Sequence, residues 1–169
     1  MAVSQSIITD KHVQDFIIKA IKNVFSTMIR LEASFVEKTA ESAYTGFQGK
    51  HYVFGSVGFE GDISGVVYLC IPDDFATHAA GEILGMTKSE VKEGGDEVVR
   101  DVIGEITNMT VGGFKNALCD IGFPCKLTLP TVVRGNQLQV ACLKSATRHI
   151  FQFDCSSHRL IADIQMKNE

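Results

Sequence analysis

An α+β fold, with a largely antiparallel β-sheet packed against two long helices and a shorter one, is the class this sequence predicts, and three features predict it. Segments 10–30 and 97–118 carry apolar residues at the spacing of a helix face. Several strand-like runs lie between and after them. These elements come in groups, without the strict strand–helix alternation of a doubly wound parallel sheet. At 169 residues the chain suits one domain over 1–169, long enough to bury roughly two-thirds of its unfolded surface.

The first helix, 10–30, is the clearest. Val13, Phe16, Ile17, Ile21, Val24, Phe25, Met28 and Ile29 trace one broad stripe, with Lys11, Asp15, Lys19 and Lys22 mostly opposite. Thr9 or Asp10 can cap its start. Strand-like sequence follows at 31–36, 50–59 and 62–71, with Glu60-Gly61-Asp62 as a hairpin turn between the last two. In 62–71 both alternating sets are substantially apolar, Ile63, Val67, Leu69 and Ile71 against Val66, Tyr68 and Cys70, which predicts a sheet covered on both faces.

Pro72-Asp73-Asp74 opens a second helix, 73–85, which Gly85 stops. Thr87-Lys-Ser-Glu90 has the form of a capping box and starts a short helical turn. Gly94-Gly95 then breaks the chain and offers Asp96 as cap for the long helix 97–118, whose Val99, Val102, Ile103, Ile106, Met109, Gly113 and Ala117 are expected to face the core. Strands are predicted at 124–133, 137–143, 148–154 and 158–166. Gly135-Asn136 marks a turn, and Leu160, Ala162, Ile164 and Met166 line one face of the last strand.

Composition narrows the function classes. The net charge of −4 comes without a long basic block, which argues against a nucleic-acid surface. The longest wholly apolar run, Val66 to Ile71, is far short of the ~20 residues that span a bilayer. The amino terminus lacks the pattern of a signal peptide. Five scattered cysteines without a CxxC read as reduced, mostly buried thiols of a cytoplasmic protein; Cys119 and Cys125 could serve as metal ligands only with help from elsewhere. There is no phosphate-binding Walker loop, no GxSxG and no metal-spaced His/Glu cluster.

One row of residues stands apart. Asp101, Glu105 and Asn108 are spaced i, i+4, i+7 along the outward side of the second long helix. Asn is a poor helix former, because its side chain competes for nearby backbone groups. Gly104 and Gly112 leave the adjacent surface bare for an approaching molecule, although each weakens a helix by roughly 1 kcal/mol relative to Ala. Spacing alone fits a solvated polar face as well as it fits a site.

The run GEITNMTVGGFKNALCDIGFPCKLTLPTVVRGN resembles the signature region of the CheC/CheX/FliY family of chemotaxis phosphatases. The family's pattern is Asp or Ser, three residues, Glu, two residues, Asn, then a Pro about twenty residues on. Asp101, Glu105, Asn108 and Pro130 fit it. The first helix has no second ExxN, since Ala20 stands three residues before Asn23, so the sequence is most similar to the CheX branch, with one site per chain.

The resemblance implies a phosphatase that hydrolyses the aspartyl phosphate of a CheY-like receiver domain. Asn108 would orient the attacking water and Glu105 would dock on the receiver's active-site lysine. Asp101, Gly104 and Gly112 would contact the partner, and Pro130 would be structural, at a strand edge or bulge. Because the family accepts Ser at the position of Asp101, no catalytic charge is implied there. No cofactor is implied for this chain, and Mg²⁺ is expected on the receiver. A homodimer is implied as well, with no nucleic-acid or membrane partner. The alternative is a non-catalytic module that binds receivers or a signalling assembly.

Overall fold

A computed structural model describes residues 7–47, 49–136 and 138–168 of the chain. Part of the amino-terminal segment read for a leader therefore lies outside the described residues. Helix α1 (Asp10–Val24) starts at Thr9, whose hydroxyl accepts from the His12 N–H while the His12 ring accepts from the Thr9 N–H. A π-helical turn, Phe25–Ile29, prolongs it and ends at Arg30 in the left-handed conformation. Strand β1 (Ser34–Thr39) begins three residues later than the sequence predicts. A 3₁₀ segment, Glu41–Phe47, follows it. Strands β2 (Tyr52–Gly61) and β3 (Ile63–Pro72) form the expected hairpin.

Helix α2 (Asp73–Leu84) ends at Gly85 with φ 66°, and the capping box at Thr87 and Glu90 opens the short helix α3 (Lys88–Glu93). The long helix α4 (Asp96–Asp120) is capped by Gly95, at φ 83°, and not by Asp96. Asp96 turns instead to Arg100 and Arg134. Strands β4 (Cys125–Leu127), β5 (Thr131–Gly135), β6 (Thr147–Cys155) and β7 (His158–Asn168) complete the sheet.

All pairings are antiparallel, in the order β1-β6-β7-β3-β2, with β4 and β5 both on the free side of β2. One face is covered by α1, α2 and α4 over a core that includes Ile17, Phe25, Phe59, Phe75, Ile103, Phe114, Phe151 and Phe153. The other face carries a smaller cluster, Tyr52, Phe54, Cys70, Ile150 and Ile161, closed over by the 3₁₀ segment and by the stretch from Leu138 onward.

Two predicted strands need correction. Segment 124–133 is not continuous: Phe59 pairs Leu127 and Ser56 pairs Thr131, so Thr128, Leu129 and Pro130 span two residues of β2. At this irregularity the Gly58 N–H donates to the Thr128 hydroxyl at 2.8 Å and the Thr128 N–H donates to the Gly58 carbonyl at 2.9 Å. Pro130, which has no N–H, lies exposed at the end of the break.

Segment 137–143 forms no strand over its described part, 138–143; residue 137 lies outside the described residues. Its backbone is held by side chains. The Gln165 amide donates to the Ala141 carbonyl and accepts from the Leu143 N–H, and Arg148 donates to the Val140 carbonyl. With those groups already bonded, the segment lies across the sheet as a strap and joins no ladder.

The thiols are also less buried than expected. Cys70 and Cys155 are buried, Cys119 and Cys125 are partly exposed, and Cys142 is exposed. Among the described residues no helix is long and apolar enough to cross a membrane.

Candidate functional site

Helix α4 carries the site, and its rotational setting decides what the site exposes. The residues it buries are Val99, Val102, Ile103, Gly104, Ile106, Thr107, Thr110, Val111, Phe114 and Leu118. Met109, expected in the core, is 42% exposed, and Gly113 and Ala117 are not among the buried set. The buried stripe is thus centred further round the helix than the apolar pattern indicates, because small and polar residues form part of it. Gly104 and Thr107 are buried on the sheet side of the helix, Gly104 beside Val132 and Thr107 against Gly55.

The tightest approach is at Gly55 of β2. A Cβ placed there would lie 2.0 Å from the Thr107 hydroxyl oxygen and 3.0 Å from the Thr107 Cβ. Thr107 is itself fixed, since its hydroxyl donates to the Ile103 carbonyl at 2.7 Å and the residue is fully buried. Gly55 therefore sets how deeply the middle of α4 sits on the sheet, one residue before Asn108. An isolated glycine within a strand pattern is the sequence signal for such a close approach.

Two arginines hold the amino-terminal half of the helix. Arg134 of β5 makes a bidentate pair with Asp73 at 2.6 and 3.0 Å, and a third bond to Asp96 at 2.9 Å. These bonds join β5 to the first turns of α2 and α4. Arg100 donates to the Val132 carbonyl at 2.9 Å and also pairs with Asp96. Hydrogen bonds from Arg100 and then Arg134 hold the Asp96 carboxyl below its ordinary range, against a small opposing effect of burial. Both carboxylates lie in the first turn of a helix, where the backbone N–H groups also favour negative charge.

On the outward side, Asp101 and Glu105 are exposed and Asn108 is half-buried. Their i, i+4, i+7 spacing puts successive Cβ atoms about 5–6 Å apart on one face of the helix. Among the described residues no hydrogen bond or ion pair occupies the Glu105 carboxylate, the Asn108 amide or the Asp101 carboxylate. Met109 adds an apolar side chain beside them.

The two glycines differ. A Cβ at Gly112 would meet nothing within 4 Å, so this part of the helix is open. Gly104 is buried, and Val132 lies 3.5 Å from where its Cβ would be. The bare surface expected at Gly104 is therefore a packing contact with β5, and a partner cannot use it. Among the described residues no group of three or more His, Cys, Asp or Glu side chains is placed to hold a metal ion.

A carboxylate and an amide, both without a partner among the described residues and carried on a 25-residue helix, can accept from a cation and can bond a water without strong basicity. Comparison with known proteins agrees with the architecture. A family model described as "Chemotaxis phosphatase CheX" matches residues 53–154, more than half of the chain, including Asp101, Glu105, Asn108 and Pro130. No curated protein matches the sequence.

Among solved structures, the CheC-like superfamily protein from Shewanella sp. PV-4 is similar, with 23% identity and a TM-score of 0.79 over 94% of this chain and 99% of that one. The chemotaxis protein CheX from Vibrio vulnificus is 25% identical, with a TM-score of 0.74 over 92% of this chain and 96% of that one. A CheX–CheY–BeF3–Mg²⁺ complex from Borrelia burgdorferi is 18% identical to this chain, with a TM-score of 0.72 over 92% of this chain and 97% of that one.

Proposed function

This chain belongs to the CheX family of chemotaxis phosphatases, and from that premise we propose that it hydrolyses the aspartyl phosphate of a CheY-like receiver domain, with Asn108 orienting the attacking water and Glu105 docking the partner. The observation that carries the proposal is the pair itself: Glu105 exposed and Asn108 half-buried on one outward face of α4, with neither side chain engaged by another described residue.

Hydrolysis of an acyl phosphate needs a water in line with the phosphorus–oxygen bond that breaks, near a loose, metaphosphate-like transition state. The receiver supplies the phosphorylated aspartate. Its Mg²⁺ and lysine balance the charge on the phosphoryl oxygens, so this chain needs no metal of its own for the step. What remains is the placement of the water. The Asn108 carboxamide can accept from one of its hydrogens, or donate to its oxygen, while the water's lone pair faces phosphorus. The Glu105 carboxylate, one turn away, pairs with the receiver's lysine and fixes the distance between the two proteins.

Positioning of this kind can be worth several kcal/mol of barrier, and a displacement of ~1 Å can forfeit ~10²-fold in rate. Holding both groups on a buried-faced helix, and not on a loop, suits that demand. The Borrelia structure, a complex of CheX and CheY with BeF3 and Mg²⁺, supports the choice of partner. The homodimer that family resemblance implies belongs to the same proposal, and a clean monomer by light scattering would remove it.

The test is phosphate release from phosphorylated CheY-like receivers with Mg²⁺. The chain should accelerate it catalytically. Asn108→Ala and Glu105→Ala should each lose most of the acceleration, about 10²-fold or more, with unchanged thermal unfolding. Stoichiometric binding without acceleration would replace the phosphatase with a receiver-binding module.

A further inference from the structure

The second face of the sheet holds a cavity that the proposed hydrolysis does not use. It encloses about 620 Å³, is partly open to solvent, and lies between β2, β6, the 3₁₀ segment and the strap. Tyr44, Phe47, Tyr52 and Phe54 contribute rings to its lining. Phe47 and Tyr52 meet edge to face at 82°, with centroids 4.3 Å apart. Tyr44 stands at 54° to Phe47, and Phe54 at 46° to Tyr52. No neighbouring pair among these rings is parallel, so the lining makes a corner and not the slot that a flat aromatic ligand would stack in.

The charges around the cavity do not balance. Among the described residues that line it, the charged ones are Glu41 and Arg148. The Arg148 side chain is 10% exposed and donates to the fully buried Asp163, at 2.7 Å through Nη2 and 3.1 Å through Nε. Those two groups cancel. Glu41 pairs with the same guanidinium, and its side chain is 69% exposed. Two carboxylates therefore face one cation, and one negative charge is left over on the solvent side. The Tyr44 ring already carries the Arg148 guanidinium, 5.9 Å from its centroid. Burial pushes the Tyr44 and Tyr52 hydroxyls up, Tyr52 to about 12, so neither ring adds a charge of its own.

We propose that this cavity binds a small organic monocation of the tertiary or quaternary ammonium class, its alkyl groups in the corner of Phe47 and Tyr52 and its charge beside Glu41. A cation within about 6 Å of a ring centroid is drawn to the negative face of the ring. The surplus carboxylate acts in the same direction. An alkylated ammonium needs few hydrogen-bond acceptors, which suits a lining of rings with Leu138 and Val140. A divalent metal ion would need several oxygen or nitrogen ligands, and among the described residues no group of three or more His, Cys, Asp or Glu is placed to hold one. An anion would have to displace Glu41 from Arg148, a competitor tethered in the same chain at high effective concentration.

The experiment titrates choline chloride into the folded chain at constant ionic strength. Two controls share its shape: dimethylbutanol, in which carbon replaces the nitrogen, and dimethylbutanoate, an anion of similar size. Tyrosine fluorescence follows binding, since the chain has three tyrosines and no tryptophan, and Tyr44 and Tyr52 line the cavity. Choline should give a saturable change and bind about tenfold more tightly than dimethylbutanol. Glu41→Gln and Phe47→Leu should each weaken it several-fold, with thermal unfolding showing that the variants are folded. Glu41→Gln keeps the size of the side chain, so it decides the matter if Phe47→Leu loosens this face. No saturable response at tens of millimolar, equal affinity for dimethylbutanol, tighter binding of dimethylbutanoate, or choline binding indifferent to Glu41→Gln or to a folded Phe47→Leu would each overturn the proposal. The readout is binding, so its failure and that of the proposed phosphatase activity are distinguishable.

Discussion

Gly55 offers the sharpest test of how the fold serves the site. In Gly55→Ala the new methyl carbon would lie 2.0 Å from the Thr107 hydroxyl oxygen, about 1.4 Å inside an ordinary contact. Rotating the Thr107 side chain does not relieve this, because its Cβ is itself 3.0 Å away and does not move with χ1. Rotation would also break the hydroxyl's 2.7 Å bond to the Ile103 carbonyl in a fully buried place. The helix must therefore lift from β2 locally, by a sizeable part of an ångström.

Overpacking of this kind costs about 1–3 kcal/mol. The displaced residue is the immediate neighbour of Asn108, so the proposed water position moves with it, and a shift approaching ~1 Å is worth up to ~10²-fold in rate. The expected result is a lowered unfolding midpoint together with a loss in phosphate release larger than the unfolded fraction explains. Adding Thr107→Ala removes the 2.0 Å contact and leaves the 3.0 Å one, so it should restore part of both. Unchanged stability and unchanged turnover in Gly55→Ala would show that the helix is not seated by this contact, and the reasoning would fail.

Further predictions concern the sheet's two faces. Asp163 is fully buried, accepts from Tyr44 at 2.7 Å and pairs with Arg148, whose other donors go to Glu41 and the Val140 carbonyl. Asp163→Ala strands a largely buried guanidinium and releases the 3₁₀ segment from its anchor, so a loss of about 3–5 kcal/mol is expected in denaturant unfolding. A loss below about 1 kcal/mol would show that the cluster does not hold this face together.

His149 is buried in line with Phe151, its ring nitrogen 3.4 Å from the Lys38 ammonium, and burial, then the Lys38 charge, hold its pKa below the ordinary 6.5 with Asp10 opposing. A group with a depressed folded pKa contributes stability that is present above the unfolded value and is lost as pH falls toward the folded one. Stability should therefore decline on acidification below about pH 6.5, and His149→Gln should flatten that decline in denaturant midpoints taken at about pH 7.5 and about pH 5.5. Parallel decline in the two proteins would exclude His149 as the source.

The parts of the fold that the sequence made legible are those where periodicity and local stereochemistry agree. Thr9, the Thr87–Glu90 capping box and Gly85 mark helix ends by their own side chains or by a left-handed φ, and each sits where its chemistry puts it. The β2–β3 and β6–β7 hairpins follow from alternation. The latter turns on Ser156 and Ser157, both at positive φ, where glycine or asparagine is the usual signal.

What could not be read is what depends on the third dimension. Leu138 and Val140 give segment 137–143 a strand-like pattern, yet they pack onto the second face while Gln165 and Arg148, distant in sequence, take up the strap's backbone groups. The same limit shaped the reading of α4. Its apolar residues alone place Met109 inward, whereas Gly104 and Thr107 are buried because Val132 and Gly55 lie against them. That rotation is also what matters for function. With Thr107 turned into the sheet, Asn108 and Glu105 are left at the helix surface, so the tight glycine contact beneath the helix and the outward amide above it are two consequences of one packing choice.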